Sequence, residues 1–356
     1  MKRKCYIVLL SIAKSGGTER AVVNLANILC EMGFPTSIIS IYTNDKDQPY
    51  YFLKPAVNLH HLNMSEVPPS LSAKVSWFYE LYRILKRIIS AGSITIGTGH
   101  DINAIIAFLR NKNRRILGCE HIQKEMLPLS SKLIMRMTYP LLHSLVLLSE
   151  SAREKYISYN SNTTVIPNAL PFEVSNIKNV FEKKIIMVGR IDMNKGYGRA
   201  IPIFCYLKEK YPEWEVNIYG DGVEKNNIEK LIESNDLTNV KIHLPVKNIA
   251  EKYSESSIML MTSYSEAMPM VILEANSCGL PVVAYECEGT RELIKDGETG
   301  FLIKSDDIKS FCDLLSLLIE NAEKMKIFSD ASLEYAKQFS KQNISSLWGK
   351  LLESVF

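Results

Sequence analysis

Long apolar runs are missing from this sequence. No uncharged stretch approaches the ~20 residues that a bilayer-spanning helix needs. The first apolar segment, Cys5 to Ala13, is short, lacks a small-residue cleavage site and runs into a polar glycine loop. It reads as a buried strand, not a signal peptide, so the protein is expected in the cytoplasm. Paired cysteines are missing as well. The seven cysteines are scattered and form no C-x-x-C pair, which argues against zinc, redox and disulfide scaffolds and for reduced core residues. Internal repeats and low-complexity segments are absent. With 46% hydrophobic and 23% charged residues the chain is ordered and globular, and 356 residues suffice for two domains.

Net charge is only +3, yet it is unevenly spread. Residues 1–170 carry 20 bases against 11 acids, and residues 171–356 carry 22 against 28, so the halves stand at +9 and −6. The first half is therefore expected to meet something anionic. No basic reading helix and no aromatic ribonucleoprotein-type motif is present, which disfavours nucleic acid. A membrane surface or a phosphorylated acceptor fits better.

The first half alternates β-branched runs with helical patterns. Strands are predicted at Tyr6–Ile12, Thr36–Tyr42, Ile94–Gly97, Ile116–Cys119, Ser144–Leu148 and Thr164–Ile166, and a helix over Glu19–Met32 ends at Gly33. Pro167, Pro171 and the polar stretch Ser175–Lys184 interrupt the pattern. A second series follows, with strands at Ile185–Val188, Glu215–Tyr219, Val240–Leu244, Ile258–Met261 and Pro281–Ala284. Such alternation predicts an α/β fold of two doubly wound, Rossmann-like domains joined near residue 175. From Asp306 onward the chain is expected to be helical, its last helix reaching back across the first domain.

Ligands of such sheets bind at the carboxyl ends of strands, so the loops there carry the information. Ser15-Gly16-Gly17-Thr18-Glu19 follows the first strand and opens a helix. It suits either a phosphate approaching the helix N-terminus or a tight turn capped by Thr18. It lacks the third glycine of a dinucleotide fingerprint. Gly189-Arg190-Ile191-Asp192-Met193-Asn194-Lys195-Gly196 follows the strand that opens the second half. Arg190 and Lys195 on one loop can clamp a diphosphate, or they are solvated surface charges. The third segment is Glu266-Ala267-Met268-Pro269-Met270-Val271 with Glu274 beyond it. Pro269 starts a helix, so Glu266 lies in the preceding loop and Glu274 within the helix. The amides of Met270 and Val271 then point outward at its N-terminus, between carboxylates that would grip hydroxyls or simply be solvated.

Together these motifs, with Cys278-Gly279-Leu280-Pro281 and Glu292-Leu293-Ile294-x-Asp296-Gly297, resemble the retaining glycosyltransferases of the GT-B fold, family 4, over essentially the whole chain. The resemblance implies two domains facing a central cleft: residues 1–172 bind the acceptor, residues 173–340 bind the nucleotide-sugar donor, and residues 341–356 pack back on the first domain. It implies that Glu266 approaches the transferred sugar and that Glu274 bonds the ribose. Arg190 and Lys195 would hold the diphosphate, aided by the amides of Met270 and Val271, with Met268 and the Gly16-Gly17 loop also lining the donor. His121, after a first-domain strand, looks like the family histidine that faces the donor sugar, although a lone histidine there is ordinarily structural. The base would pack near Leu244–Lys247. Departures are Ala267-Met268 where Gly-Phe is usual, Ala169 where glycine is common, and Glu288 before Gly289. They put the donor sugar in doubt, not the reaction.

The expected activity is thus retaining transfer of a hexose or N-acetylhexosamine from a nucleotide diphosphate sugar, UDP-linked by the same resemblance. The acceptor would be a lipid-diphosphate-linked glycan of bacterial O-antigen or capsule assembly. An epimerase of the same architecture and a non-catalytic sugar-nucleotide-binding subunit are the alternatives. No cofactor or metal is expected, since Asp45-Lys46-Asp47 reads as a solvated turn. Peripheral contact with an anionic membrane is expected through Ser72–Ala91, where Val75, Phe78, Tyr79, Tyr82, Leu85 and Ile89 recur at helical spacing among Lys74, Arg83, Lys86 and Arg87. A plain covering helix explains the same pattern.

Overall fold

The structure, a computed structural model, describes residues 2–173 and 181–355. The chain divides into two units, Met1–Pro171 with Lys341–Phe356, and Phe172–Ser340. The expected junction near residue 175 lies outside the described residues.

The first unit runs β1 (Cys5–Leu9), α1 (Gly17–Glu31), β2 (Thr36–Ser40), β3 (Asn58–His61), α2 (Leu71–Ile88), β4 (Ile94–Thr98), α3 (His100–Ala107), β5 (Arg115–Cys119), α4 (Leu129–Thr138), β6 (Ser144–Leu147), α5 (Glu150–Tyr156) and β7 (Thr163–Val165). The strands pair in parallel, in the order β3-β2-β1-β4-β5-β6-β7. β1 shows why this sequence makes a central strand. All five of its residues are buried, and the two-residue pleat sends Cys5, Ile7 and Leu9 into one layer and Tyr6 and Val8 into the other. Val22, Ala26 and Leu29 of α1 cover the first layer. Trp77, Leu81 and Leu85 of α2, Ile106 of α3 and Met135 of α4 cover the second.

The second unit runs β8 (Lys184–Val188), α6 (Tyr197–Lys210), β9 (Glu215–Tyr219), α7 (Lys225–Ser234), β10 (Val240–His243), α8 (Ile249–Ser254), β11 (Ile258–Met261), α9 (Met270–Ser277), β12 (Val282–Tyr285), α10 (Glu288–Leu293), β13 (Gly300–Ile303), α11 (Ile308–Glu320) and α12 (Ala322–Ala336). Its sheet is also parallel, in the order β10-β9-β8-β11-β12-β13. A last helix, α13 (Lys341–Ser354), belongs to the first unit, where Ile344, Trp348, Leu351 and Leu352 pack into the α1 layer and Lys341 pairs with Glu31.

Three differences from the sequence-based expectation have physical causes. β1 and β2 stop at Leu9 and Ser40, where the chain bends after each, although Ile41 N still donates to Leu9 O at 3.1 Å and Tyr42 N to Leu10 O at 2.8 Å. β3 and β13 had no strand signal: β3 is a short polar edge strand, as edges often are. β13 opens on Gly300, where a Cβ would lie 2.0 Å from the Val282 carbonyl oxygen. Finally, α2 is a covering helix whose apolar residues divide. Leu85 and Ile89 are buried, Phe78 and Tyr82 half-buried, and Val75 and Tyr79 exposed. No described helix is long and apolar enough to cross a membrane. All seven cysteines are free thiols, five of them buried.

Candidate functional site

In the second unit the loop after β8 is fixed by glycines that admit other backbone. Gly220 and Gly222 lie so close to it that a Cβ would come 2.0 Å from the Gly189 oxygen and 2.3 Å from the Ile191 oxygen. The Ile191 amide donates to Asp221 O at 2.8 Å, and Tyr197 Oη donates to Gly189 O at 3.1 Å. Asp192 then caps the turn Met193–Lys195, accepting the Lys195 amide at 3.1 Å. Gly196 holds φ of +63°, and a Cβ there would sit 2.3 Å from Thr262 O, at the end of β11.

This anchoring brings together residues 71 positions apart. Lys195 Nζ lies 2.7 Å from Glu266 Oε1, with side chains 19% and 14% exposed. The Glu266 carbonyl accepts the Gly289 amide at 2.9 Å. Asn194 Nδ2 donates to Ser265 O at 2.8 Å, while the Tyr264 amide donates to Asn194 O at 2.8 Å. The main chain at Glu266 is thus held on both sides, by the Asn194 side-chain amide at Ser265 and by the Gly289 main-chain amide, just before Pro269 caps α9. Met270 and Val271 are the first helical residues, whose amides have no acceptor within the helix. Met268 is buried beside them, and Glu274 is buried and accepts from Tyr253 Oη at 3.1 Å.

Arg190 is not brought to this pair. Its side chain is 77% exposed, and Nε donates to Asp192 Oδ2 at 2.6 Å, so the two bases of the loop point to different partners. Leu244 is exposed, next to His243, whose ring stacks on Tyr219 at 4.8 Å. Sequence reasoning missed Arg199. Its guanidinium lies 4.3 Å and 4.1 Å from the ring centres of Tyr264 and Tyr285 and donates to Thr262 O at 3.2 Å, bracing the loop that carries Glu266. Tyr253 and Asn194 were missed too: Tyr253 stands in no recognisable motif, and nothing in the Gly189–Gly196 loop announces that Asn194 reaches Ser265.

In the first unit Gly16 is the N-cap of α1, and Thr18 does not cap. The Glu19 carboxylate folds over that N-terminus: a Cβ at Gly16 would come 2.2 Å from Glu19 Oε2, so the chain supplies its own anion there. Gly17 has open space around it. His121 lies at the end of β5 and lines a cavity of about 30 Å³ with Thr98, Cys119, Asn168 and Trp348. Desolvation pushes its pKa down to about 4, leaving a neutral imidazole. The preceding Glu120 is buried, accepts from Tyr139 Oη and from Asn103 Nδ2, and burial raises its pKa to about 7. Asp47 closes a local turn by accepting the Asn44 amide at 2.8 Å. Among the described residues no three His, Cys, Asp or Glu side chains group as a metal site.

Residues 172–335 match the family model described as glycosyl transferases group 1. This segment is similar to group 1 glycosyltransferase domains. It contains Arg190, Lys195, Glu266 and Glu274. Curated relatives span the whole chain. The amylovoran biosynthesis glycosyltransferase AmsD of Erwinia amylovora is 26% identical over 362 residues, covering 98% of this chain and 99% of its own. A Campylobacter jejuni protein named GalNAc-alpha-(1->4)-GalNAc-alpha-(1->3)-diNAcBac-PP-undecaprenol alpha-1,4-N-acetyl-D-galactosaminyltransferase is 24% identical over 360 residues, covering 98% of each. Among solved structures, S. aureus TarM in complex with UDP matches with a TM-score of 0.82 at 15% identity over 99% of both chains. The fold is therefore GT-B, built from two Rossmann-like parallel-sheet domains.

Proposed function

We propose that this protein is a retaining glycosyltransferase that moves a hexose or N-acetylhexosamine from a UDP-linked donor to a lipid-diphosphate-linked glycan in bacterial surface polysaccharide assembly. The observation that carries this reading is the Lys195–Glu266 pair at the strand ends of a segment similar to group 1 glycosyltransferase domains, beside the N-terminus of α9. The names of the Erwinia and Campylobacter relatives support the polysaccharide and lipid-linked parts.

In this mechanism Lys195 and the α9 amides meet the charge that grows on the leaving diphosphate. Arg190, whose exposed pairing with Asp192 is weak, turns to the same diphosphate at small cost. Glu266 orients a hydroxyl of the transferred sugar and keeps Lys195 aimed at the bond that breaks. The departing phosphate oxygen takes the acceptor proton on the same face, so configuration is retained. No metal is assigned, because two bases and a helix N-terminus already oppose the diphosphate charge. The reaction would take place at a membrane that holds the acceptor.

The test is a thermal-shift screen against UDP-, GDP-, ADP- and dTDP-sugars, followed by transfer to lipid-linked acceptors with and without EDTA. Stabilisation by a UDP-sugar and EDTA-resistant transfer with retention are expected. Stabilisation by no nucleotide sugar would overturn the reading, and tight donor binding without transfer to any acceptor would favour a binding subunit.

A further inference from the structure

Helix α4 is built inside out. Its inward residues are Met135 and Thr138, whereas Leu129, Leu133 and Met137 are 82%, 62% and 72% exposed. Residues four apart lie along one stripe of a helix, so these three form a continuous apolar ridge facing away from the protein. Ile134 borders the ridge on one side, and Lys132 and Arg136 border it on the other. The helix contains no acid, and neither base forms an ion pair among the described residues. Met126, just before the helix, is exposed as well, and nearby Glu125 is neutralised by Lys155 at 3.0 Å. Contiguous exposed apolar surface of this kind marks an interaction site.

We propose that this outward face of α4 docks the protein on an anionic lipid bilayer, a partner that deepens the functional reading above and rests on its lipid-linked acceptor. The ridge is convex and flanked by positive charge, the arrangement of a helix that lies in a membrane interface with its apolar side down. Anionic headgroups pair with Lys132 and Arg136, while a second copy of the chain would set those bases against their own counterparts. The +9 charge of residues 1–170 points the same way. α2 is the weaker surface, because Trp77, Leu81, Leu85 and Ile89 are committed to the core and, among the side chains described, Val75 and Tyr79 are the apolar ones left fully outside.

The experiment is co-sedimentation of the full chain with phosphatidylcholine vesicles, with and without phosphatidylglycerol, at low and high salt. Wild type is compared with Leu129→Gln/Leu133→Gln/Met137→Gln, with Lys132→Ala/Arg136→Ala, and with Arg83→Ala/Lys86→Ala/Arg87→Ala in α2. All changed residues lie on the surface, and melting temperature and nucleotide-sugar binding are followed to confirm an intact fold. Wild type should bind phosphatidylglycerol vesicles in a salt-sensitive way. The apolar variant should lose about 10-fold or more, the Lys132/Arg136 variant should lose the preference for anionic lipid, and the α2 variant should lose less than either. Absence of binding by wild type, equal binding by the α4 variants, or an equal loss in α2 would overturn the proposal. So would a vesicle-free dimer, seen by light scattering, that the apolar variant abolishes. Vesicle binding is read without sugar: if it fails while UDP-sugar still binds, only this inference falls, and if vesicles bind while no nucleotide sugar does, only the functional reading falls.

Discussion

Lys195 Nζ and Glu266 Oε1, 71 positions apart in sequence, meet at 2.7 Å, and both side chains are mostly withdrawn from water. Each therefore depends on the other. A charge left alone in such a place costs more than the pair contributes, so truncating one partner is expected to disturb the other. Lys195→Ala should lower the transfer rate by ~10²–10³ through loss of a charged donor to the diphosphate. Glu266→Gln, which keeps the shape, should lower the rate with little change in donor affinity. Steady-state kinetics with separate kcat and KM decide it: a Lys195→Ala enzyme with the wild-type rate would remove this residue from the chemistry.

Arg190 makes a contrasting prediction. Being 77% exposed, it contributes nothing to packing, so Arg190→Ala should leave the melting temperature unchanged. It should weaken UDP more than uridine, since only the diphosphate loses a charge partner. Calorimetric titration of both ligands checks this, and equal affinities in mutant and wild type would leave Arg190 as a solvated surface charge.

Gly289 tests whether main-chain placement of Glu266 matters. A Cβ there would lie 2.6 Å from the Glu266 carbonyl oxygen and 2.8 Å from Pro269 Cδ, so Gly289→Ala must push the loop that carries the carboxylate. A displacement near 1 Å from productive geometry costs about 10²-fold in rate. Gly198→Ala is the control: it lies inside α6 with nothing within 4 Å, and alanine there should stabilise by up to about 1 kcal/mol with activity kept. If the two variants behaved alike in rate, the position of Glu266 would not limit catalysis.

Much of this was legible in the sequence because it is local. Parallel strands buried on both faces read as continuous apolar runs, so β1, β8 and β11 stand out, and the loops after them are marked as site-bearing by the sequence alone. Pro269 marked the start of α9 by its chemistry. Illegible features were those created by packing between distant segments. Nothing in the run Gly189–Gly196 says that Lys195 turns to Glu266 while Arg190 turns to Asp192. Nothing around Arg199 announces that two tyrosine rings bracket it. α4 was opaque for another reason: helical periodicity reveals that an apolar face exists, not whether the fold covers it.

Glu120 supplies the pH prediction. It is buried where Asn103 Nδ2 donates to its Oε1 at 2.7 Å and Tyr139 Oη donates to the same oxygen. Its other oxygen, Oε2, has no partner among the described residues, nor has Asn103 Oδ1. Burial pushes its pKa from 4.5 up to about 7, and Asp101 adds repulsion that further disfavours the carboxylate. A proton on Oε2 turns an unpaired acceptor into a donor beside a residue that also lacks one. A carboxyl whose folded pKa is raised binds protons more tightly in the native state, so its stabilising contribution is complete below about 4.5 and is lost as pH rises to about 7. The loss over that window is on the order of 3 kcal/mol. Glu120→Gln imitates the protonated acid at every pH and supplies a permanent donor. It should melt above wild type at pH 8 and match it near pH 5. Melting curves of both proteins across pH 5–8 are the measurement. A variant destabilised equally at all pH values would mean that the native carboxylate is charged and that its second oxygen is satisfied in some other way.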